Sequence, residues 1–240
     1  MKIGIMQPYF FPYLGYWQLL NYVDKFVVFD DVNYINRGWI NRNRILVNGQ
    51  PKYFNIPMLG ASQNKLINEI GVNIVPEEIS RMKSILYNAY RKAPFYKDNS
   101  DFLDCILSFE TNNLAEFLTH SIIKIKEVLD VNTEIVISSH LEKNALSRGE
   151  DRIIEICDAL DANCYVNPIG GIELYSFENF KRRNIDLRFL KMKDVIYKQF
   201  ENDFQSSLSI IDVLMFNSVE TVKEMLLEYD LIDEDGVMDN

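Results

Sequence analysis

The segment Met1–Ile45, MKIGIMQPYFFPYLGYWQLLNYVDKFVVFDDVNYINRGWINRNRI, decides the fold. Its first residues, KIGIMQP, are a short apolar run closed by Gln7-Pro8, the pattern of a strand buried on both faces. In the loop YFFPYLGY, prolines 8 and 12 fix φ and remove backbone donors, while Gly15 permits a close approach, so the loop should be stiff. Apolar residues from Tyr16 to Val23 recur at helical spacing, and Phe26, Val27, Val28 and Phe29 predict a second strand that ends on Asp30-Asp31. Strand, tight loop, helix and strand make a βαβ unit, with parallel strands and a right-handed crossover. Ligands of such sheets sit outside the carboxyl ends of the strands. Gln7 to Tyr16 and Asp30 to Asn33 should therefore border one crevice.

Working outward, NYINRGWINRNRI interleaves Arg37, Arg42 and Arg44 with Tyr34 and Trp39 and with Asn33, Asn36, Asn41 and Asn43. Guanidinium forks match phosphate or carboxylate, and aromatic faces stack on a base or sugar. The segment is thus a candidate anion and ring contact; the competing expectation is a polar hairpin whose arginines pair with Asp30 and Asp31. Next, ILVNGQPKYFNIPM alternates apolar residues around Asn48-Gly49, predicting a β-hairpin inserted after the second strand. Helical spacing runs from Pro76 to Lys92, stopped by Pro94, and again from Asp101 to Leu129, where His120 falls among apolar positions as a hydrogen-bonded core histidine.

The second half returns to α/β alternation. TEIVISS is a strand ending on Ser138-Ser139-His140, and RGEDRIIEICDAL is a helix with Gly149, Glu150 and Asp151 at its start, where acidic residues suit the dipole. CYVNP is a short strand ending on Asn167-Pro168, and the following Gly170-Gly171 suggests either a backbone loop close to a ligand or a plain tight turn. LYSFENFKRRN should be helical, IDLRFLKM the last strand, Leu208–Tyr229 two helices broken near Asn217, and the acidic tail IDEDGVMDN frayed. The expected architecture is one α/β domain, a Rossmann-like parallel sheet with flanking helices. Its core comprises residues 1–75 and 132–200, with a helical insertion over 76–130 and C-terminal helices over 201–230.

Composition narrows the function. With 240 residues, 48% hydrophobic, the chain can bury a full core. No apolar run approaches the roughly 20 residues that span a bilayer, and Lys2 leads directly into a strand rather than a signal peptide, so a cytoplasmic protein is expected. The net charge of −10 argues against an extended nucleic-acid surface. Cys105, Cys157 and Cys164 lack paired spacing and read as buried free thiols; with two histidines only, no metal site is expected.

The runs MQPYFFPYLGYWQLL and DKFVVFDDVNYINRGWINRNRI, with the later NP-GG segment and SIIDVLMFN, resemble the WbqC-like family over essentially the whole chain. That resemblance implies surface-polysaccharide (O-antigen, lipopolysaccharide) biosynthesis, with transfer of glycine or another small acyl unit to the amino group of a deoxyamino sugar. The entry FPYLGY is also similar to that of HIGH-motif nucleotidylyl transferases and related adenylate-forming amide ligases, with Tyr13 and Tyr16 where that superfamily usually has two histidines. A neutral tyrosine donates a hydrogen bond but adds no charge, so positive charge would have to come from Arg37, Arg42 or Arg44.

The expected activity is an N-acyl or aminoacyl transfer onto a nucleotide-linked amino sugar. Asp30 or Asp31 would take the amine proton, with His140 in reserve because a carboxylate beside three arginines is a poor base. Gln7, Tyr9 and the amides at Gly170-Gly171 would hold the oxyanion. Tyr13, Gly15, Tyr16, Asn33, Tyr34, Arg37, Trp39, Asn41, Arg42, Asn43, Arg44, Ser138, Ser139 and Asn167 complete the candidate substrate contacts. ATP, an activated acyl donor or an aminoacyl-tRNA could supply the acyl group. The alternative is a non-catalytic module that holds a sugar nucleotide or a partner protein.

Overall fold

The computed structural model describes residues 1–144, 146–201 and 203–238. Strand β1 (Lys2–Met6), helix α1 (Leu14–Tyr22) and strand β2 (Lys25–Val28) form the opening βαβ unit. Ile3 pairs with Lys25 and Met6 with Val28 in parallel register. The intervening loop is tied down rather than free. Asn43 Nδ2 donates to the Phe10 and Phe11 carbonyls, Ser209 Oγ to Phe11 and Trp17 Nε1 to Pro12.

An inserted hairpin follows, β3 (Arg42–Val47) and β4 (Gln50–Asn55). Asn48 and Gly49 take φ of 51° and 73° at its tip, the left-handed pair that a two-residue turn requires. A two-residue pairing of β5 (Met58–Leu59) with β6 (Gly71–Val72) closes the insertion. Helices α2 (Pro76–Tyr90), α3 (Tyr96–Leu107) and α4 (Leu114–Val128) then cover one face of the sheet.

Strand β7 (Glu134–Ile137), helix α5 (Gly149–Ala159), strand β8 (Cys164–Pro168), the five-residue helix α6 (Phe177–Lys181) and strand β9 (Asp186–Met192) complete the α/β alternation. Helices α7 (Ile210–Phe216) and α8 (Val219–Met225) break at Asn217 as expected. The tail departs from expectation. Tyr229–Asp233 forms β10, antiparallel to β9, and Gly236–Met238 forms β11 beside it. Tyr229 and Leu231 alternate inward, and the Asp233 carboxylate accepts the amides of Asp235 and Gly236, so the acidic tail expected to fray is an edge hairpin as far as Met238, its last two positions lying outside the described residues.

The sheet is seven-stranded in the order β11-β10-β9-β8-β1-β2-β7, with all pairings from β9 to β7 parallel. It is a Rossmann-like α/β architecture. The chain proceeds outward from β1 through β2 to β7 and then returns to β8 on the other side, so the strand order reverses at β1/β8. Two apolar layers sandwich the sheet. Helices α1 to α4, α7 and α8 pack on one face, and α5 and α6, through Ile153, Ile156, Cys157 and Phe180, on the other. Cys157 and Cys164 are buried, while Cys105 lies exposed on α3, contrary to its expected burial. Burial pushes the Cys157 thiol up to about 12 and that of Cys164 to about 11, so neither is a nucleophile near neutral pH.

Candidate functional site

The carboxyl ends of β2 and β7 carry Asp30-Asp31 and a 3₁₀ turn, Ser138–His140. Consecutive residues leaving a strand point to opposite sides. Asp31 accordingly faces the α5 side and Asp30 the α4 side, each on a separate cavity, with Ser139 on the wall of both.

The larger cavity, about 730 Å³, lies among Phe29, Asp31, Asn33, Leu66, Ser139, Lys143, Arg148, Gly149, Glu150, Arg152, Leu174 and Tyr175. Asp31 is its anchor. Its Oδ2 meets Lys143 Nζ at 2.8 Å and Arg152 Nη2 at 2.7 Å, and its Oδ1 accepts the Ser138 hydroxyl at 2.7 Å. Burial pushes the Asp31 carboxyl up, but the hydrogen bonds from Lys143 and Ser138 and the charges of Lys143 and Arg152 outweigh it and hold the group below the ordinary carboxylate value. Lys143 Nζ also donates to the Ser138 carbonyl, and Arg152 Nη2 to that of Asp31 at 3.0 Å. The Nε of Arg152 is buried with no hydrogen-bond partner.

Three cations, Lys143, Arg148 and Arg152, thus line the cavity against two carboxylates, Asp31 and Glu150. Glu150 is committed elsewhere, accepting the Ser176 amide at 2.5 Å and the Asn179 side chain at 2.6 Å. The N-terminal turn of α5, begun by Gly149 at φ 55°, lines the same space. A helix N-terminus flanked by cations is an anion-binding arrangement.

The smaller cavity, about 460 Å³, has Asp30, Asn68, Ser139 and His140 on one side and Phe109, Glu116, His120 and Ile123 on the other. Asp30 is buried and accepts three donors: the Ser139 amide at 2.9 Å, the Ser139 hydroxyl at 2.6 Å and Asn68 Nδ2 at 3.1 Å. His120 is not the hydrogen-bonded core histidine expected. It stacks on Phe109 with centroids 3.9 Å apart, and its buried Nε2 has no partner. Burial and the Lys124 charge lower its pKa, against an opposing effect of Glu127.

Of the sequence candidates, the structure gathers Asp30, Asp31, Asn33, Ser138, Ser139 and His140 here, Ser138 as the support of Asp31. The arginine segment lies elsewhere. Arg42 donates to the carbonyls of Gly38 and Arg37 and covers the Tyr53 ring at 4.3 Å; Arg44 donates to the Ser207 carbonyl and lies 5.7 Å from the Trp39 ring. Arg37 is exposed at φ 61°. Arg42 and Arg44 bond backbone carbonyls and rings rather than Asp30 or Asp31, and none of the three arginines lines either cavity.

Asn41 accepts the Tyr34 hydroxyl, and Asn43 braces the opening loop. Gln7, Tyr9, Tyr13, Gly15 and Tyr16 line neither cavity. Tyr16 is buried with its hydroxyl on the Gln7 carbonyl, and burial pushes Tyr9 up to about 12. A Cβ on Gly15 would lie 2.6 Å from the Tyr13 ring, so this glycine serves packing. Asn167 accepts the Tyr165 hydroxyl, and its amide fills the space a Gly171 side chain would need, whereas Gly170 faces open space. Gly171→Ala should destabilise the protein by about 1–3 kcal/mol and Gly170→Ala by less than about 0.5 kcal/mol in chemical denaturation.

Lys143, Arg148 and Arg152 were not among the sequence candidates. Their signal is position: all three follow the carboxyl end of β7, where the strand-end rule places ligands. Among the described residues, no group of three His, Cys, Asp or Glu side chains could hold a metal ion, and no helix is long and apolar enough to cross a membrane.

A sequence model described as the WbqC-like protein family matches residues 7–224. The chain belongs to the WbqC-like protein family. It is also 25% identical over 220 residues to Rv1507c, an uncharacterized protein of Mycobacterium tuberculosis, covering 90% of this chain and 93% of that one. No solved structure matches the chain significantly. In this WbqC-like protein the family match takes in both cavities, since every lining residue falls between 7 and 224.

The ionisation of Asp31 gives a pH test. A depressed folded-state pKa contributes stability above the unfolded value near ~4, lost as pH falls through the folded one. Asp31→Asn should cost about 1.5–3 kcal/mol at pH 7, where two cations lose their counter-charge. Urea denaturation should show the gap to wild type full above about pH 5 and shrinking toward pH 3.

Proposed function

We propose that this WbqC-like protein is a transferase that places a glycyl or other small acyl group on the amino group of a nucleotide-linked deoxyamino sugar. The observation that carries this reading is the cation-lined cavity at the carboxyl edge, where Lys143, Arg148, Arg152 and the first turn of α5 surround a space of about 730 Å³. That donor set suits a diphosphate, and the apolar walls at Phe29, Leu66 and Leu174 suit the body of a nucleotide.

Amide formation joins the acceptor nitrogen to the acyl carbon, expels the donor's leaving group and releases a proton from the nitrogen. Asp31, ion-paired twice, is poorly suited to take that proton. Asp30 is the better candidate. Its Oδ2 accepts the Ser139 hydroxyl at 2.6 Å, so the proton can reach it directly or through Ser139 at the rim of both cavities. His140, in the same cavity as Asp30, is the other candidate base.

A second reading, a binding module without chemistry, has its own observation: both carboxylates are already engaged by donors or cations. Incubation with a nucleotide-linked amino sugar, glycine, ATP and magnesium, with thioester and charged-tRNA donors in parallel, separates them by mass spectrometry. A glycyl adduct supports transfer, and accompanying AMP identifies an adenylate-forming ligase. Sugar-nucleotide binding without adduct from any donor supports the module.

A further inference from the structure

The stretch from Val32 to Asn68 stands apart from the rest of the chain in charge. It holds five of the 25 Lys and Arg residues, Arg37, Arg42, Arg44, Lys52 and Lys65, and none of the 35 Asp and Glu. The net charge of −10 therefore divides into +5 here and −15 over the remainder. Among the described residues, none of the five cations forms an ion pair. Arg42 and Arg44 bond neutral backbone carbonyls, which order a guanidinium without cancelling its charge.

The same stretch exposes aromatic rings. In the β3–β4 register Arg44 faces Tyr53 and Arg42 faces Asn55, so strand alternation puts all of them on one side of the hairpin. Arg42 lies over the Tyr53 ring at 4.3 Å, and the Trp39 ring lies 6.5 Å from that of Tyr53 and 5.7 Å from the Arg44 guanidinium. Despite these contacts Tyr53 is 55% and Trp39 37% exposed. Backbone bonds fix the platform: the Phe10 amide donates to the Trp39 carbonyl and the Ile56 amide to that of Asn41, each at 3.0 Å. Arg37, whose carbonyl Arg42 bonds, is exposed as well.

We propose that this face of the hairpin, with the loop before it, binds single-stranded RNA. Cations without counter-charges select a polyanion, and exposed rings beside guanidinium groups select one with flat, unpaired bases. An acidic protein segment supplies the charge but not the bases. The −15 remainder repels a long polyanion, which confines the contact to a short unpaired stretch and agrees with the lack of an extended nucleic-acid surface expected from composition. The amides of Asn36 and Asn55, both exposed, donate and accept as a ribose 2′-hydroxyl requires, which favours RNA over DNA. The stretch leaves and re-enters the core at the larger cavity, where Asn33 and Leu66 form an antiparallel bridge and both line the wall. Under the transferase reading the RNA is the body of an aminoacyl-tRNA donor, and only that assignment rests on it.

The test is fluorescence anisotropy of the full chain with a labelled, unstructured RNA of about 12 nucleotides at about 50 mM salt. No acyl transfer is measured, so this result and that of the transfer assay fall independently. Binding is expected, several-fold weaker at about 200 mM salt and at least about threefold weaker for DNA of the same sequence and for the RNA annealed to its complement. Tyr53→Ala should weaken binding about fivefold or more, while Tyr53→Phe, which keeps the ring, stays within about twofold of wild type. Arg37→Glu should weaken it about tenfold, and Arg182→Glu, the same charge change at an exposed position on α6, should leave it within about twofold. No binding, equal binding of RNA and DNA or of single strand and duplex, displacement by polyglutamate as effective as by unlabelled RNA, or equal losses in Arg37→Glu and Arg182→Glu would overturn the proposal.

Discussion

Replacing Asp212 with alanine is expected to lower stability by about 3–5 kcal/mol, a drop in melting temperature on the order of 10 °C for a chain of this size. Asp212, fully buried in α7, accepts the hydroxyls of Tyr90 at 2.8 Å and Tyr197 at 2.7 Å and the amide of Gln199 at 2.7 Å. Tyr90 in turn accepts the Leu46 amide, and Gln199 bonds both the amide and the carbonyl of Gln205. One carboxylate therefore ties α2, β3, the segment before α7 and α7 itself together. Alanine would strand three buried donors at once. Calorimetric melting checks the magnitude.

The same residue gives a pH dependence opposite in sign to that of Asp31. Burial raises the Asp212 pKa, only partly offset by the hydrogen bonds from Tyr197, Tyr90 and Gln199. A raised folded-state pKa contributes stability that is complete below the unfolded value near ~4 and lost as pH rises through the folded one. Wild type should therefore gain on Asp212→Asn as pH is lowered from 7 toward 4, while its advantage over Asp31→Asn shrinks.

The second large effect is on ligand binding. Arg152→Ala should weaken a nucleotide-diphosphate sugar by about 10- to 100-fold, the worth of a charge-assisted contact of about 1.5–3 kcal/mol. Arg152 lines the cavity, and its charge stands beside that of Lys143 on the Asp31 carboxylate. Arg42→Ala, which alters a guanidinium already bonded to Gly38 and Arg37, should leave that affinity unchanged, as titration calorimetry of both variants would report.

Much of the fold was legible because its signals are local. The opening βαβ unit, the Asn48-Gly49 hairpin and the break at Asn217 each depend on a few adjacent residues. The β10–β11 hairpin was hidden because Tyr229 and Leu231 alternate over so short a run before an acidic turn. Half of the site was equally legible: Asp30, Asp31 and Ser138–His140 follow from the rule about strand ends. The cavity's own cations were not legible for a physical reason. Arginines beside aromatic residues signal either a ligand or one another, and here Arg42 lies over the Tyr53 ring and Arg44 near the Trp39 ring. Lys143 and Arg152 came from a plain polar stretch, and only folding of α5 against β2 brings them to Asp31.

The central claim is that the cavity at the carboxyl edge of β2 and β7 holds the phosphate-bearing substrate. A crystal structure of the protein soaked with a uridine-diphosphate-linked amino sugar tests it most directly. The account predicts density for the diphosphate between Lys143, Arg152 and the first turn of α5. A diphosphate seated instead on Arg37, Arg42 and Arg44, in and just before the inserted hairpin, would contradict it.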